Sequence, residues 1–197
     1  MFINQQKTIL LTGNDKIVLY PSLIDPLSSK IFFSSLYFEI NWRQEIIHLF
    51  GKKIQIPRLS ALHGDSTYTY SGLKMEPNQW TPTLLKLRNI AETTVGSKFN
   101  AVLLNLYRSG KDSMSWHSDN EPELGPNPTI ASISLGSERK FKFRHKTNKK
   151  RQISLKLADG SLLLMTGKTQ KNWLHSVPKT AKPVTYRINL TFRQIYN

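Results

Sequence analysis

At 197 residues the chain is long enough for one domain with a substantial core. Its 39% hydrophobic and 21% charged content is ordinary, no apolar run approaches the roughly 18 residues of a membrane span, and with no cysteine there can be neither a disulfide nor a thiolate metal site. Lys and Arg number 28 against 13 Asp and Glu, a formal charge of +15 that attracts polyanions.

The N-terminus, Met1 to Lys7, lacks the basic start and apolar stretch of a signal peptide. An intracellular monomer is therefore expected, cytoplasmic in a bacterium and nuclear in a eukaryote, with no membrane association. Asp25-Pro26 opens a short predicted helix with Leu27, Ile31 and Phe32 as its apolar side. Thr81-Pro82 is a stronger helix start, because Thr caps and Pro suits the first helical position. Leu84, Leu87, Ile90 and Ala91 make its apolar stripe, and it should end near Gly96 as a support packed on a sheet.

From about residue 100 the reading changes to strands. Ala101 to Leu104 is a buried strand running into Asn105-Leu106-Tyr107. Ile130 to Leu135 alternates in part, Phe141 and Phe143 alternate with basic residues, and Ile153, Leu155 and Leu157 alternate with Ser154 and Lys156. Asp159-Gly160 marks a turn before Ser161 to Met165. In the last strand Tyr186, Ile188, Leu190 and Phe192 share one face, and Arg187, Asn189, Thr191 and Arg193 share the other. The fold class is mainly β with flanking helices, a double-sheet jelly roll. Basic residues cluster at Lys52-Lys53, from Arg139-Lys140 to Arg144-His145-Lys146, and at Lys149-Lys150-Arg151, which favours nucleic acid as the partner.

His117 and Asp119 stand two apart, so an extended backbone would put both on one face. His175 must come from a distant strand. Two imidazoles and one carboxylate are the ligand set of a facial triad, which holds divalent iron and leaves positions open. His-x-Asp alone occurs by chance. The order His-x-Asp, His, Arg, Arg points to a metal site, since guanidinium matches an acidic co-substrate bidentately. His48, His63 and His145 are read as structural or exposed.

With these residues in view, the chain resembles the AlkB-type demethylases, Fe(II)- and 2-oxoglutarate-dependent dioxygenases that repair alkylated bases. The resemblance runs from about residue 49 to the C-terminus and is closest to members acting on duplex DNA. It rests on Asn105-Leu106-Tyr107, His117-Ser118-Asp119-Asn120-Glu121, Ser161-Leu162-Leu163, His175-Ser176-Val177-Pro178 and, most specifically, Arg187-Ile188-Asn189-Leu190-Thr191-Phe192-Arg193. Pro57-Arg58 and the stretch from Thr67 to Gly72 match the part where the family builds its nucleotide-recognition lid.

The resemblance implies a single domain over 1–197, with a double-stranded β-helix catalytic core over about 100–195 and an N-terminal lid over about 48–75. It implies Fe(2+), 2-oxoglutarate and O2 as cofactor and co-substrates. His117, Asp119 and His175 would bind iron. Arg187 would pair with the distal carboxylate of 2-oxoglutarate, helped by Tyr107, while Arg193 and Asn105 hold its other end and Asn189 and Thr191 support them. N1-methyladenine and N3-methylcytosine in DNA would be demethylated with release of formaldehyde, succinate and CO2. Such lesions are cations, so Glu121 would favour them. Tyr68 and Tyr70 would hold the flipped base, Arg58 and Ser71 would line its pocket, and Phe50 would fill the gap left in the duplex. Asn120 replaces an acidic residue of the closest members, which bears on fine substrate preference. The alternatives are a methylated-RNA or protein side-chain substrate for the same chemistry, or a non-catalytic basic jelly roll that binds nucleic acid. The charge argues against a protein side chain but does not separate DNA from RNA.

Overall fold

The computed structural model describes residues 6–49, 52–66, 68–70 and 73–196, with the backbone alone at 47–49, 52, 68–70 and 73–75. Its first half runs β1 (Thr8–Leu11), β2 (Asp15–Tyr20), α1 (Pro26–Glu39), β3 (Ile46–Leu49), β4 (Lys52–Gln55), β5 (Leu59–Gly64), β6 (Tyr68–Tyr70), β7 (Leu73–Met75) and α2 (Pro82–Val95). The second half runs β8 (Ala101–Tyr107), β9 (Met114–His117), β10 (Ile130–Gly136), β11 (Arg139–His145), β12 (Gln152–Leu157), β13 (Ser161–Gly167), the short α3 (Thr169–Asn172), β14 (Trp173–Val177) and β15 (Arg187–Arg193). A seven-stranded sheet has the order β1-β2-β13-β10-β15-β8-β5, and a four-stranded sheet the order β12-β11-β14-β9. β3–β4 and β6–β7 are separate hairpins. Among the described residues no helix is long and apolar enough to cross a membrane.

The large sheet is covered on both sides, which is why β8 and β15 are buried along their whole length. One face packs on the helices: Leu104, Leu106, Ile188, Leu190 and Phe192 meet Leu36, Leu84, Leu87 and Ile90. The other face meets the small sheet, with Leu103, Tyr107, Leu163 and Met165 against Phe141, Phe143 and Trp173. The period-two split of the last strand therefore separates a dry helix-facing layer from a polar row between the sheets. This is the expected jelly roll, with α2 as its support. Thr81 caps α2 by accepting the Leu84 N–H at 3.2 Å, and Gly96 ends it in the left-handed region.

α1 departs from expectation in length and in face. It runs 14 residues and buries Ser29, Phe32 and Leu36, while Leu27 is 70% and Ile31 56% exposed. The helix carries apolar residues on two sides, and the sheet takes the side where small Ser29 allows close approach and its hydroxyl bonds Asp159. The lid segment expected over 48–75 is interrupted, because β5 between the two hairpins is an edge strand of the large sheet, paired with β8. Similarly, β2 joins β13, so the large sheet draws on the N-terminal segment as well as on residues beyond 100.

The turn at Asp159-Gly160 holds the start of β13 against α1. Gly160 has φ +70°, and a Cβ there would lie 2.3 Å from the Ile24 carbonyl oxygen. Gly160→Ala is expected to destabilise the protein by more than about 1 kcal/mol, from the left-handed backbone and the clash together. Urea denaturation checks this, and an unmoved midpoint would contradict it.

Candidate active site

β9 is the edge strand of the small sheet, and its last residue, His117, pairs with His175 of β14. The strand stops there, so Asp119 lies beyond it and not on one continuous extended face. The loop after β9 brings the carboxylate to the two histidines. The Asp119 N–H donates to the Gln170 side-chain oxygen at 3.0 Å, and Lys146 Nζ donates to Ser118 Oγ at 3.0 Å and to the Gln170 carbonyl at 2.9 Å. Among the described residues the ligand atoms of His117, Asp119 and His175 all lie within 4.8 Å of one another.

The protonation of this cluster suits a divalent cation. Burial lowers both imidazoles, His117 in direction and His175 to about 3. Burial alone would raise Asp119, but the Arg193 guanidinium, 3.0 Å away, and then the two histidines bring it to about 2. At neutral pH the set is two neutral imidazoles and one carboxylate. The His117 Nδ1–H donates to the Ser115 carbonyl at 2.9 Å, which leaves Nε2 unprotonated on the side of Asp119. His175 stacks on Phe141 with ring centres 5.4 Å apart, and its buried Nδ1 meets no hydrogen-bond partner among the described residues. A buried nitrogen left unsatisfied is costly unless a ligand completes it. The donor set, two neutral imidazoles and one carboxylate within reach of one another, fits iron(II).

Beside the triad lies an inner pocket lined by Leu103, Asn105, Tyr107, Asn189, Thr191 and Arg193, among others. The β15 register sets Arg187 opposite Tyr107, Asn189 opposite Asn105 and Thr191 opposite Leu103. Arg187 is buried and donates Nη2 to Ser134 Oγ at 2.9 Å, and its Nε and Nη1 meet no hydrogen-bond partner among the described residues. Asn189 donates to Ser132 Oγ at 2.7 Å and to the Ile133 carbonyl at 3.0 Å. Thr191 donates to Asn189 Oδ1 at 3.3 Å. Arg58 is buried and donates Nε to Asn105 Oδ1 at 2.6 Å. Met114, His117 and Val177 also face an outer cleft of about 520 Å³, bordered by Ile54, Arg58, Trp116, Lys142 and Lys179. Arg144 covers the Trp116 ring at 4.5 Å.

Of the residues expected at the metal and co-substrate sites, His117, Asp119 and His175 cluster, Asn105, Tyr107, Asn189, Thr191 and Arg193 line the inner pocket, and Arg187 lies against the Tyr107 ring. Of the expected base pocket, Arg58 lines both the cleft and the wall behind Asn105, while Glu121 is half-buried just past Asp119, ahead of a 3-10 turn at Pro122–Leu124. Tyr68 and Tyr70 sit on β6, with side chains outside the described residues, and Phe50 and Ser71 lie outside them altogether. His63 is structural, as expected: it is buried and bonded to the Gln79 carbonyl at 2.6 Å.

The basic clusters need correction. Arg139 is only 2% exposed and Lys146 is tied to the Asp119 loop, so neither belongs to a solvated patch. Lys149, Lys150 and Arg151 are exposed in the β11–β12 turn. Sequence reasoning missed Gln170, Lys146, Ser132 and Ser134. Only the serines left a signal, as the polar members of the alternation in β10.

The chain matches the 2OG-Fe(II) oxygenase superfamily over residues 16–193. It is 41% identical over 194 residues to the alpha-ketoglutarate-dependent dioxygenase alkB homolog 3 of Bos taurus, covering 94% of this chain and 68% of that protein. It is 42% identical over 158 residues to the DNA oxidative demethylase ALKBH2 of Homo sapiens, covering 76% and 60%. The solved structure of OsALKBH1 superposes with a TM-score of 0.68 over 95% of this chain and all of that one, at 15% identity, a likeness of fold alone. A converging His-Asp-His cluster, an arginine-lined pocket on a jelly roll and this degree of identity place the chain in the AlkB family of 2OG-Fe(II) dioxygenases, enzymes that use iron(II) and 2-oxoglutarate.

Proposed function

We propose that this enzyme demethylates N1-methyladenine and N3-methylcytosine in DNA, with His117, Asp119 and His175 holding the iron. The observation that carries the reading is the convergence of these three ligands, with Arg193 3.0 Å from Asp119, beside a pocket lined by Asn105, Tyr107, Asn189 and Thr191. Bound iron(II), with 2-oxoglutarate and O2, supplies the oxidation: the co-substrate leaves as succinate and CO2, and the N-methyl group is hydroxylated and lost as formaldehyde.

The chain's own residues bind, orient and exclude water. Arg187 would clamp the distal carboxylate with a guanidinium fork in which Nη2, one of whose N–H groups is given to Ser134, pairs through the other with Nε or Nη1. Arg193 and Asn105 would take the opposite end. Arg58 holds the Asn105 oxygen, which leaves the Asn105 amide N–H groups as donors toward the pocket. The hydrogen bonds to Ser132 and Ile133 fix Asn189, and Thr191 bonds to it in turn. Leu103, Phe141, Met165 and Val177 form the apolar wall.

The hairpins β3–β4 and β6–β7 would act as the nucleotide-recognition lid, with Tyr68 and Tyr70 holding an extruded base, Ser71 at its pocket and Phe50 filling the gap left in the duplex. The relatives' DNA demethylase name supports DNA as substrate. The exposed Lys149-Lys150-Arg151 turn supplies backbone attraction, which carries no base information. Mass spectrometry of matched lesion-bearing oligonucleotides, single-stranded and duplex, DNA and RNA, tests this reading. Conversion confined to RNA would overturn the DNA assignment.

Glu121 provides the finer test, as a carboxylate that would favour cationic lesions. Glu121→Gln is expected to lower kcat/KM for N1-methyladenine and N3-methylcytosine more than for neutral ethenoadenine. A single partly buried charge contact of this kind contributes about 1–2 kcal/mol, roughly five- to thirtyfold in the ratio. If the ratio of cationic to neutral lesion activity stays put at one salt concentration, the pocket reads lesions by shape and Glu121 is not the charge sensor.

A further inference from the structure

Arg139 stands where the sequence suggests a surface charge, yet the alternation of β11 sends it inward with Phe141 and Phe143. Its Nη2 donates to the carbonyls of Asp112, 2.9 Å, and Pro178, 2.8 Å, and its Nη1 to that of Ser109, 3.2 Å. The guanidinium carbon lies 5.5 Å from the centre of the Tyr107 ring, and that of Arg187 lies 5.1 Å from the same ring. Two buried guanidiniums therefore share one aromatic neighbour, Tyr107, which itself lines the inner pocket. Carbonyl dipoles solvate Arg139 without neutralising it. The acid that acts on it, Asp112, is already ion-paired with Arg108 at 2.8 Å.

Clustered positive charge of this kind is unfavourable in a low-dielectric interior unless an anion enters. The Arg187 guanidinium registers it. Burial, opposed by Tyr107 and reinforced by Arg139, pushes its pKa down to about 10. A field from Arg139 needs no contact to act on a carboxylate held by Arg187.

We propose that Arg139 is a positioning residue for the co-substrate, supplying across Tyr107 a second positive charge at the distal-carboxylate end, so that the pocket selects a dicarboxylate 2-oxo acid over a monocarboxylate one. The proposal rests on the reading of Arg187 as the distal clamp.

The test is calorimetric binding to the full chain with Mn(II) in place of iron. It compares 2-oxoglutarate with 2-oxopentanoate, which has the same chain length but ends in a methyl group. Arg139→Gln is expected to reduce the preference for 2-oxoglutarate about tenfold, leaving affinity for 2-oxopentanoate and for Mn(II) unchanged. Asp112→Asn removes a negative charge while keeping an oxygen to accept the Arg108 N–H, and should raise the preference about two- to threefold. A purely architectural Arg139 would weaken both ligands alike and would give no gain in Asp112→Asn. Undiminished preference in Arg139→Gln overturns the proposal. If that variant does not fold, Asp112→Asn decides, a raised preference supporting the proposal and an unchanged or lowered one overturning it. A wild-type protein that binds both acids equally would instead overturn the reading of Arg187 on which the proposal stands.

Discussion

Replacing His175 with Ala is expected to abolish turnover while leaving the fold largely intact. Removing an outer partner of a metal ligand typically costs about 10- to 100-fold in metal affinity or activity, and removing a ligand itself should exceed that. A labile divalent iron left with His117 and Asp119 has too few donors to stay bound. The fold should survive because the buried Nδ1 of His175 makes no hydrogen bond that would be lost, and the remaining loss is packing on Phe141 and Phe143. His63→Ala is the matched control, another buried histidine, bonded to the Gln79 carbonyl and outside the cluster. Titration with Mn(II) should show binding in His63→Ala and not in His175→Ala. Wild-type turnover by His175→Ala with titrated iron would contradict the ligand assignment.

Arg187→Lys should raise the 2-oxoglutarate requirement strongly. Lysine keeps the charge but replaces a planar fork with one ammonium on a flexible stem. In this structure one Nη2 N–H is given to Ser134, and the fork would offer its remaining pair of N–H groups to the guest. A lone ammonium cannot serve both at fixed geometry. Loss of a good charge-assisted contact costs about 1.5–3 kcal/mol, or roughly 10- to 150-fold in affinity. The effect belongs to the co-substrate and not to the metal, so Mn(II) affinity should hold while the apparent KM for 2-oxoglutarate rises. An unchanged KM would remove Arg187 from the role.

The parts of the site legible in the sequence are those written in local period and order. In Arg187 to Arg193 strict alternation separates the polar row from the core, and the structure buries both faces because sheet and helices enclose them. The Thr81 cap, the Gly96 stop and the Gly160 turn are local signals, and each is found in place. The face of α1 was not legible. Leu27 and Ile31 fit a helical stripe as well as Phe32 and Leu36 do, and only docking on the sheet chooses between them. Arg139 and Lys146 read as solvated charge because the groups that receive them, such as Pro178 and Gln170, are 24 to 39 residues away in sequence. Gln170 was invisible for the same reason, since its bond to the Asp119 amide spans 51 residues.

One pocket, on the proposed function, couples consumption of 2-oxoglutarate to removal of a methyl group from a nucleic-acid base. The most direct measurement counts succinate and formaldehyde from the same reaction, using the full chain, iron(II), 2-oxoglutarate and a DNA oligonucleotide carrying N3-methylcytosine. Equal amounts of the two products are expected, both dependent on iron and on 2-oxoglutarate, with the unmodified base recovered. Recovery of an unchanged lesion with no formaldehyde, by a protein that binds both Mn(II) and 2-oxoglutarate, would contradict it.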